Sequence, residues 1–203
     1  MRQKYSFAII ALLLFALTAT RAQGQSATDE YKAEVGMFYT GINLKGFGGT
    51  INGLGGRFGY RIHKYLVVDA EASFMPETHL GNNQVGQKVQ GFIGLKAGGR
   101  SRYVGVFAKA RPGLMFIGEV TSGLNCSGNG FTTICSPSHN NFAFDAGGVL
   151  ELYPSSRTII RFDAGDTIVR IRNATVGIPF TNPPATTNTT HNFQFSVGFG
   201  YRF

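Results

Sequence analysis

The sequence predicts an all-β fold: an eight-stranded antiparallel up-and-down β-barrel that crosses a membrane. Three observations carry this. Period-2 alternation recurs in eight segments of the 203-residue chain, near 33–41, 53–62, 65–74, 88–97, 103–117, 141–153, 157–165 and 192–203. The gaps between them, 11, 2, 13, 5, 23, 3 and 26 residues, alternate long and short, as when every long connection lies at one end of the sheet. The charges of these segments all share one parity.

The chain begins with two cations in MRQK and an apolar run of 11 residues, FAIIALLLFAL, followed by the small residues around Ala22. This predicts a secretory signal over residues 1–22 and a mature barrel over 23–203. The run is short of the ~20 residues a membrane-crossing helix needs. Without residues 1–22 the chain has 16 basic and 11 acidic side chains, a net charge of +5. Its 28 glycines and the lack of a long helical period point to strands and turns.

Taken in order, the apolar parity of the strands presents Val35, Met37 and Tyr39; Leu54, Phe58 and Tyr60; Val68, Ala70 and Phe74; Val89, Ile93 and Leu95. It continues with Val104, Val106, Leu114 and Phe116; Phe142, Phe144, Leu150 and Leu152; then Ile160 and Phe162. The opposite parity holds Glu34, Arg57, Arg61, Asp69, Glu71, Lys88, Lys96, Lys109, Arg111, Asp145, Glu151, Arg157, Arg161, Asp163 and Arg202. A soluble barrel would turn the apolar set inward and the charges outward. The loop asymmetry, the glycine-rich charged face and tyrosines near strand ends favour the reverse, with the apolar face to lipid and the charges to the lumen. Eight strands enclose room for side chains only, so six acids and nine bases directed inward are expected to pair into a salt-bridged plug. Pro112 lacks the N–H that a closed sheet uses, which predicts a bulge or a strand already above the membrane there.

The last segment, HNFQFSVGFGYRF, alternates to a terminal aromatic, with Phe195, Val197, Phe199, Tyr201 and Phe203 on one face. It resembles the closing-strand signal read by the barrel-assembly machinery. With the leader and eight strands, the whole mature chain resembles the small OmpA/OmpX-type outer-membrane β-barrel family, as a barrel-only member. The resemblance implies residence in the bacterial outer membrane, a monomer in contact with outer-membrane lipids, and a role in surface adhesion, serum resistance or envelope integrity. OmpA-type proteins often continue into a peptidoglycan-binding domain, and this chain stops after the eighth strand.

Other chemistry is poorly supplied. Cys126 and Cys135 lie in one polar loop, which in an oxidising compartment predicts a disulfide and no metal site. Asp69 and Glu71, or Asp163 beside Arg161, have a spacing that suits acid–base work, but no cleft is predicted around them. Ser138-His139 has no acid beside it, so no catalytic set and no cofactor is expected. The basic residues alternate inward or cluster at turns such as Arg61-Ile62-His63-Lys64, which argues against nucleic acid and towards lipid headgroups. Recognition of an extracellular ligand, if any, falls to the outer loops, among them FTNPPATTNTTHN. The expected function is structural or surface-interacting, with a narrow or gated pore as the alternative and a lipid-modifying enzyme as a remote second.

Overall fold

The computed structural model describes residues 31–44, 49–80, 83–118, 120–122, 135–136, 139–173 and 186–203. Eight strands form a closed antiparallel barrel: β1 (Ala33–Leu44), β2 (Gly49–His63), β3 (Leu66–Met75), β6 (Lys88–Arg100), β7 (Val104–Ile117), β10 (His139–Leu152), β11 (Thr158–Asn173) and β12 (Thr186–Arg202). Each pairs with its barrel neighbours in the chain, and β1 closes on β12 from Glu34↔Arg202 to Asn43↔Phe193. Four short strands, β4 (Thr78–Leu80), β5 (Asn83–Val85), β8 (Val120–Ser122) and β9 (Cys135–Ser136), make a second sheet in the order β4-β5-β8-β9. They belong to the second and third outer connections.

The alternation decides the faces. Met37, Leu54, Ile93, Leu114 and Phe199 are 60–77% exposed on the outside, while Asp69, Lys96, Arg111, Asp145 and Glu151 are fully buried inside. A band of exposed aliphatic and aromatic side chains around a closed sheet suits hydrocarbon, where every backbone group must be satisfied within the sheet.

Several strands run further than their apolar pattern. β1 continues to Leu44, β2 starts at Gly49, β11 reaches Asn173 and β12 starts at Thr186. There the outward residues turn polar, with Asn43, Thr50, Asn52 and Arg170 exposed, while Ile42, Ile51 and Val169 are completely buried inside. Polarity inverts because the outer surface has left lipid for water while the hydrogen-bonded ladder continues. The connections keep their long-short order with other lengths: the first outer one shrinks to residues 45–48, and each outer connection is still longer than the turns beside it. Beyond the segments read from the sequence the outward face does carry charge, since Asp166 and His191 form an exposed pair at 2.6 Å.

Pro112 also departs from expectation. β7 passes through it without a bulge or an end, pairing Pro112 with Phe144 of β10. Towards β6 the ladder is interrupted between Phe92↔Gly113 and Leu95↔Ala110 with the register unchanged, so the missing donor is absorbed on that side alone.

Candidate functional site

The interior is layered. At mid-barrel Arg111 Nη1 donates to Asp69 Oδ2 at 2.7 Å and to Glu71 Oε2 at 2.9 Å, and its Nη2 donates to Asp145 Oδ2 at 2.5 Å. Arg161 donates to Asp69 Oδ1 at 2.9 Å and Asp163 Oδ1 at 2.8 Å, and Arg57 Nη1 reaches Asp163 Oδ2 at 3.1 Å. Lys109 Nζ lies 2.9 Å from Asp145 and 3.6 Å from Asp163. Four cations and four carboxylates from five strands thus compensate one another.

A second cluster lies towards the periplasmic end. Lys96 Nζ bridges Glu34, at 2.6 Å, and Glu151. Arg100 approaches Glu34 at 4.0 Å. Tyr153 donates its hydroxyl to Glu151 Oε2 at 2.6 Å, and Arg202 stacks over the Tyr153 ring at 4.2 Å. Burial, and then the Glu151 carboxylate, push the Tyr153 phenol well above its usual range. Between them the two clusters draw charged residues from all eight barrel strands. Inward glycines make the space: a Cβ on Gly198 would stand 2.2 Å from Arg57 Nη2, and one on Gly105 would stand 2.4 Å from the Tyr153 hydroxyl.

Above the charges the chemistry changes twice. Phe38 and Phe92 roof the central cluster, with the Arg57 and Arg111 guanidiniums 4.9 and 5.9 Å from their rings. A neutral polar level follows, in which Thr167 Oγ1 donates to Gln194 Oε1 at 2.7 Å and Gln194 Nε2 donates to Thr40 Oγ1 at 3.1 Å. The outer mouth is filled by Ile42, Ile51, Met75, Met115, Ile117 and Val169, packed with Ala143 and Phe92.

Three of the sequence-selected charges lie outside the two clusters. Arg61 sits at the periplasmic rim, half-exposed, and donates to the Tyr31 carbonyl, because the ladder slips between Arg61 and His63. Arg157 is exposed in the 153–157 turn and donates to the hydroxyls of Tyr31, at 3.3 Å, and Tyr201, at 3.1 Å. These bonds, the one to Tyr31 first, raise its pKa. Lys88 is buried, but at the outer mouth, in register with Met75 and Ile117. The pattern had missed Arg100, Tyr153 and the apolar mouth. The inward parity of Ile42, Ile51 and Met115 was the signal for the last.

Of the closing strand, Phe195, Val197, Phe199, Tyr201 and Phe203 are all exposed on the lipid side. Phe203 N donates to Ala33 O, and Ala33 N to Phe203 O, both at 3.0 Å, which completes the β1–β12 seam. Residues 1–22 and Cys126 lie outside the described residues, as does the side chain of Cys135, and so does the predicted disulfide.

A closed antiparallel barrel with an apolar exterior and an ion-paired interior defines an integral β-barrel protein of the bacterial outer membrane. The chain belongs to the family described as outer membrane protein beta-barrel domain, whose model matches residues 9–203. Among solved structures it is similar to the outer membrane protein OprG from Pseudomonas aeruginosa, at 13% identity over 85% of this chain and 96% of that one, with a TM-score of 0.50. Ail, the attachment invasion locus protein of Yersinia pestis, matches at 12% identity over 85% and 97% of the two chains, with a TM-score of 0.48. OprH from P. aeruginosa matches at 20% identity over 85% and 99%, with a TM-score of 0.45. Likeness at these identities is one of fold. No curated protein matches the sequence.

Proposed function

We propose that this protein is a non-enzymatic, non-conducting outer-membrane barrel that contributes to envelope integrity and meets outside molecules through its outer loops. The observation that carries the closed lumen is the pair of charged clusters, with salt bridges from seven barrel strands and Arg202 of the eighth stacked on Tyr153, roofed by rings and then by an apolar mouth. Paired charges in so narrow a space hold each other, since removing one partner leaves an uncompensated buried charge. The void beside Arg57 and Arg161 is about 10 Å³, room for about one water. The apolar mouth adds a second barrier, because a narrow apolar constriction excludes water and ions by dewetting.

The reading extends to biogenesis. Residues 1–22 act as a cleaved export signal, the mature chain works as a monomer among outer-membrane lipids, and the Phe195–Phe203 pattern presents the last strand to the assembly machinery. Deleting Phe203 is expected to lower the amount of folded, heat-modifiable protein in the membrane several-fold. Unchanged assembly would remove the closing-strand role.

Single-channel recording of the refolded mature protein in a planar bilayer tests the closed lumen. Silence across a range of voltages is expected. Reproducible openings altered by Arg161→Ala or Lys109→Ala would instead make the protein a narrow pore.

A further inference from the structure

At the periplasmic rim, Lys32 and the turn between β2 and β3 form an open surface hollow of about 180 Å³ lined by Lys32, Arg61, Ile62, His63 and Lys64. The local fold builds it. The register slip between Arg61 and His63 swings the turn away from the barrel wall, and Arg61 N donates to Lys32 O at 2.8 Å. With its guanidinium on the Tyr31 carbonyl, Arg61 fixes the segment before β1 against β2. Arg61 therefore positions, while Lys32 and Lys64 supply charge at the opening. His63 Nδ1 accepts from Tyr65 N at 3.5 Å, which assigns the ring proton to Nε2, a donor. Among the described residues no carboxylate lines the hollow.

The residues beside the hollow identify the occupant. Ile62 and Tyr65 beside it are 54% and 55% exposed on the outer surface, and Lys64 lies 4.8 Å over the Tyr65 ring. An exposed aliphatic side chain, a tyrosine and a lysine whose stem follows the ring are the residues of a membrane interface. We propose that this hollow binds the phosphate of an anionic phospholipid in the periplasmic leaflet, with Lys32 and Lys64 facing its charge, His63 donating to it, and Ile62 and Tyr65 against its chains. A zwitterionic headgroup is disfavoured, because its ammonium would meet lysines, with no carboxylate among the described lining residues to receive it.

The neighbouring periplasmic turns differ. Arg102 stacks on Tyr103 at 5.3 Å, and Arg157 is held by the hydroxyls of Tyr31 and Tyr201. Each presents a single cation, whereas the 61–64 turn gathers several around one hollow. That makes Arg102→Glu a fair control for general surface charge.

The test is native mass spectrometry of the full protein, refolded in neutral detergent with equal amounts of phosphatidylglycerol and phosphatidylcholine, folding being checked by heat-modifiable gel mobility. Retained lipid is expected to favour phosphatidylglycerol on the order of twenty-five-fold, with about fivefold lost per lysine removed. Lys32→Glu with Lys64→Glu should bring the ratio near parity, and Arg102→Glu should leave it in place. If the double variant does not fold, Lys64→Gln carries the test with the single-lysine loss. Equal retention of the two lipids by the unmodified protein overturns the site. Equal loss in Arg102→Glu overturns it in favour of diffuse charge. Displacement of the lipid by excess inorganic phosphate makes it a free-phosphate site and overturns the lipid assignment.

Discussion

The lower lumen and its outer mouth are built by the same strands, at the same parity, from opposite chemistries. Below Phe38 and Phe92 the inward positions carry Arg57, Asp69, Arg111, Asp145 and Arg161, all buried and ion-paired. Above the polar level they carry Ile42, Ile51, Met75 and Met115, at most 1% exposed. The difference follows from what lies outside the wall. Where lipid surrounds the barrel, apolar side chains are stable on the outside and the inside is left to charges that complete one another. Along β1, β2 and β11, where the outer surface turns to water, the strand needs an apolar inside, as any soluble β-structure does, and Met75 and Met115, still beside the outward Phe74 and Leu114, complete the same layer. The two regions also resist in different ways. Ion pairs tie particular strands together, while the mouth excludes water whichever strand supplies the side chain.

The largest effect is expected from breaking the charged region at its centre. Arg111→Ala leaves Asp69, Glu71 and Asp145 short of a shared partner in a fully buried space, and should cost about 3–5 kcal/mol. The chain has no tryptophan, so resistance to urea in vesicles is best read by heat-modifiable gel mobility. A cycle with Asp145→Ala should recover about 0.5–3 kcal/mol, because removing both leaves one fewer carboxylate short of its cation. Additive losses would mean that the pair is not coupled.

The mouth should respond less in stability and more in permeation. Met115→Ala removes a completely buried side chain from the apolar cluster, for about 2–3 kcal/mol. Ile42→Asp should wet the mouth yet leave the bilayer silent, since the charged clusters still block the lumen. Only with Arg161→Ala added should openings appear. Conductance from Ile42→Asp alone would show that the clusters are no barrier.

This contrast also marks what the sequence made legible. The outward faces could be read because lipid imposes one polarity on every second residue, and that put Arg57, Asp69 and Arg111 inside. Their partners could not be read: Arg111 meets residues 42, 40 and 34 positions away, on two other strands whose stagger no local pattern encodes. The mouth escaped for a sharper reason. A reading that equates apolar with outward loses its phase where the bilayer ends, so Ile42 beside Asn43 looks like the end of a strand when it is the strand continuing into water. Arg61 was misplaced because the register slips between it and His63, and Arg157 because parity was carried into a turn, where alternation no longer holds.

Inside and outside can be compared with one methyl group. Gly198→Ala would press a Cβ to within 2.2 Å of Arg57 Nη2 and 2.3 Å of the Met37 carbonyl, and should cost about 1–3 kcal/mol. At Gly148, where a Cβ would meet nothing within 4 Å, the same change should stabilise by about 0.4–1 kcal/mol through the unfolded chain. If both were neutral, the inward glycines would not be spacing the charged side chains.

The smallest expected effect sharpens the comparison at the periplasmic floor. Tyr153 lies just beyond β10, buried, with its hydroxyl on Glu151, and both burial and that carboxylate disfavour the phenolate. Its pKa is therefore higher in the folded barrel than the ~10 of an exposed tyrosine. The stability it contributes is fully present below about pH 10 and drains as pH climbs towards the folded value, because the unfolded chain ionises first. Tyr153→Phe loses one hydrogen bond, about 1 kcal/mol at neutral pH, but has no phenol to titrate. Urea resistance of the two proteins should thus converge between about pH 10 and 12. Curves that stay parallel over that interval would mean that Tyr153 is solvated when folded, and that the floor of the lumen is open to water in a way that the mouth is not.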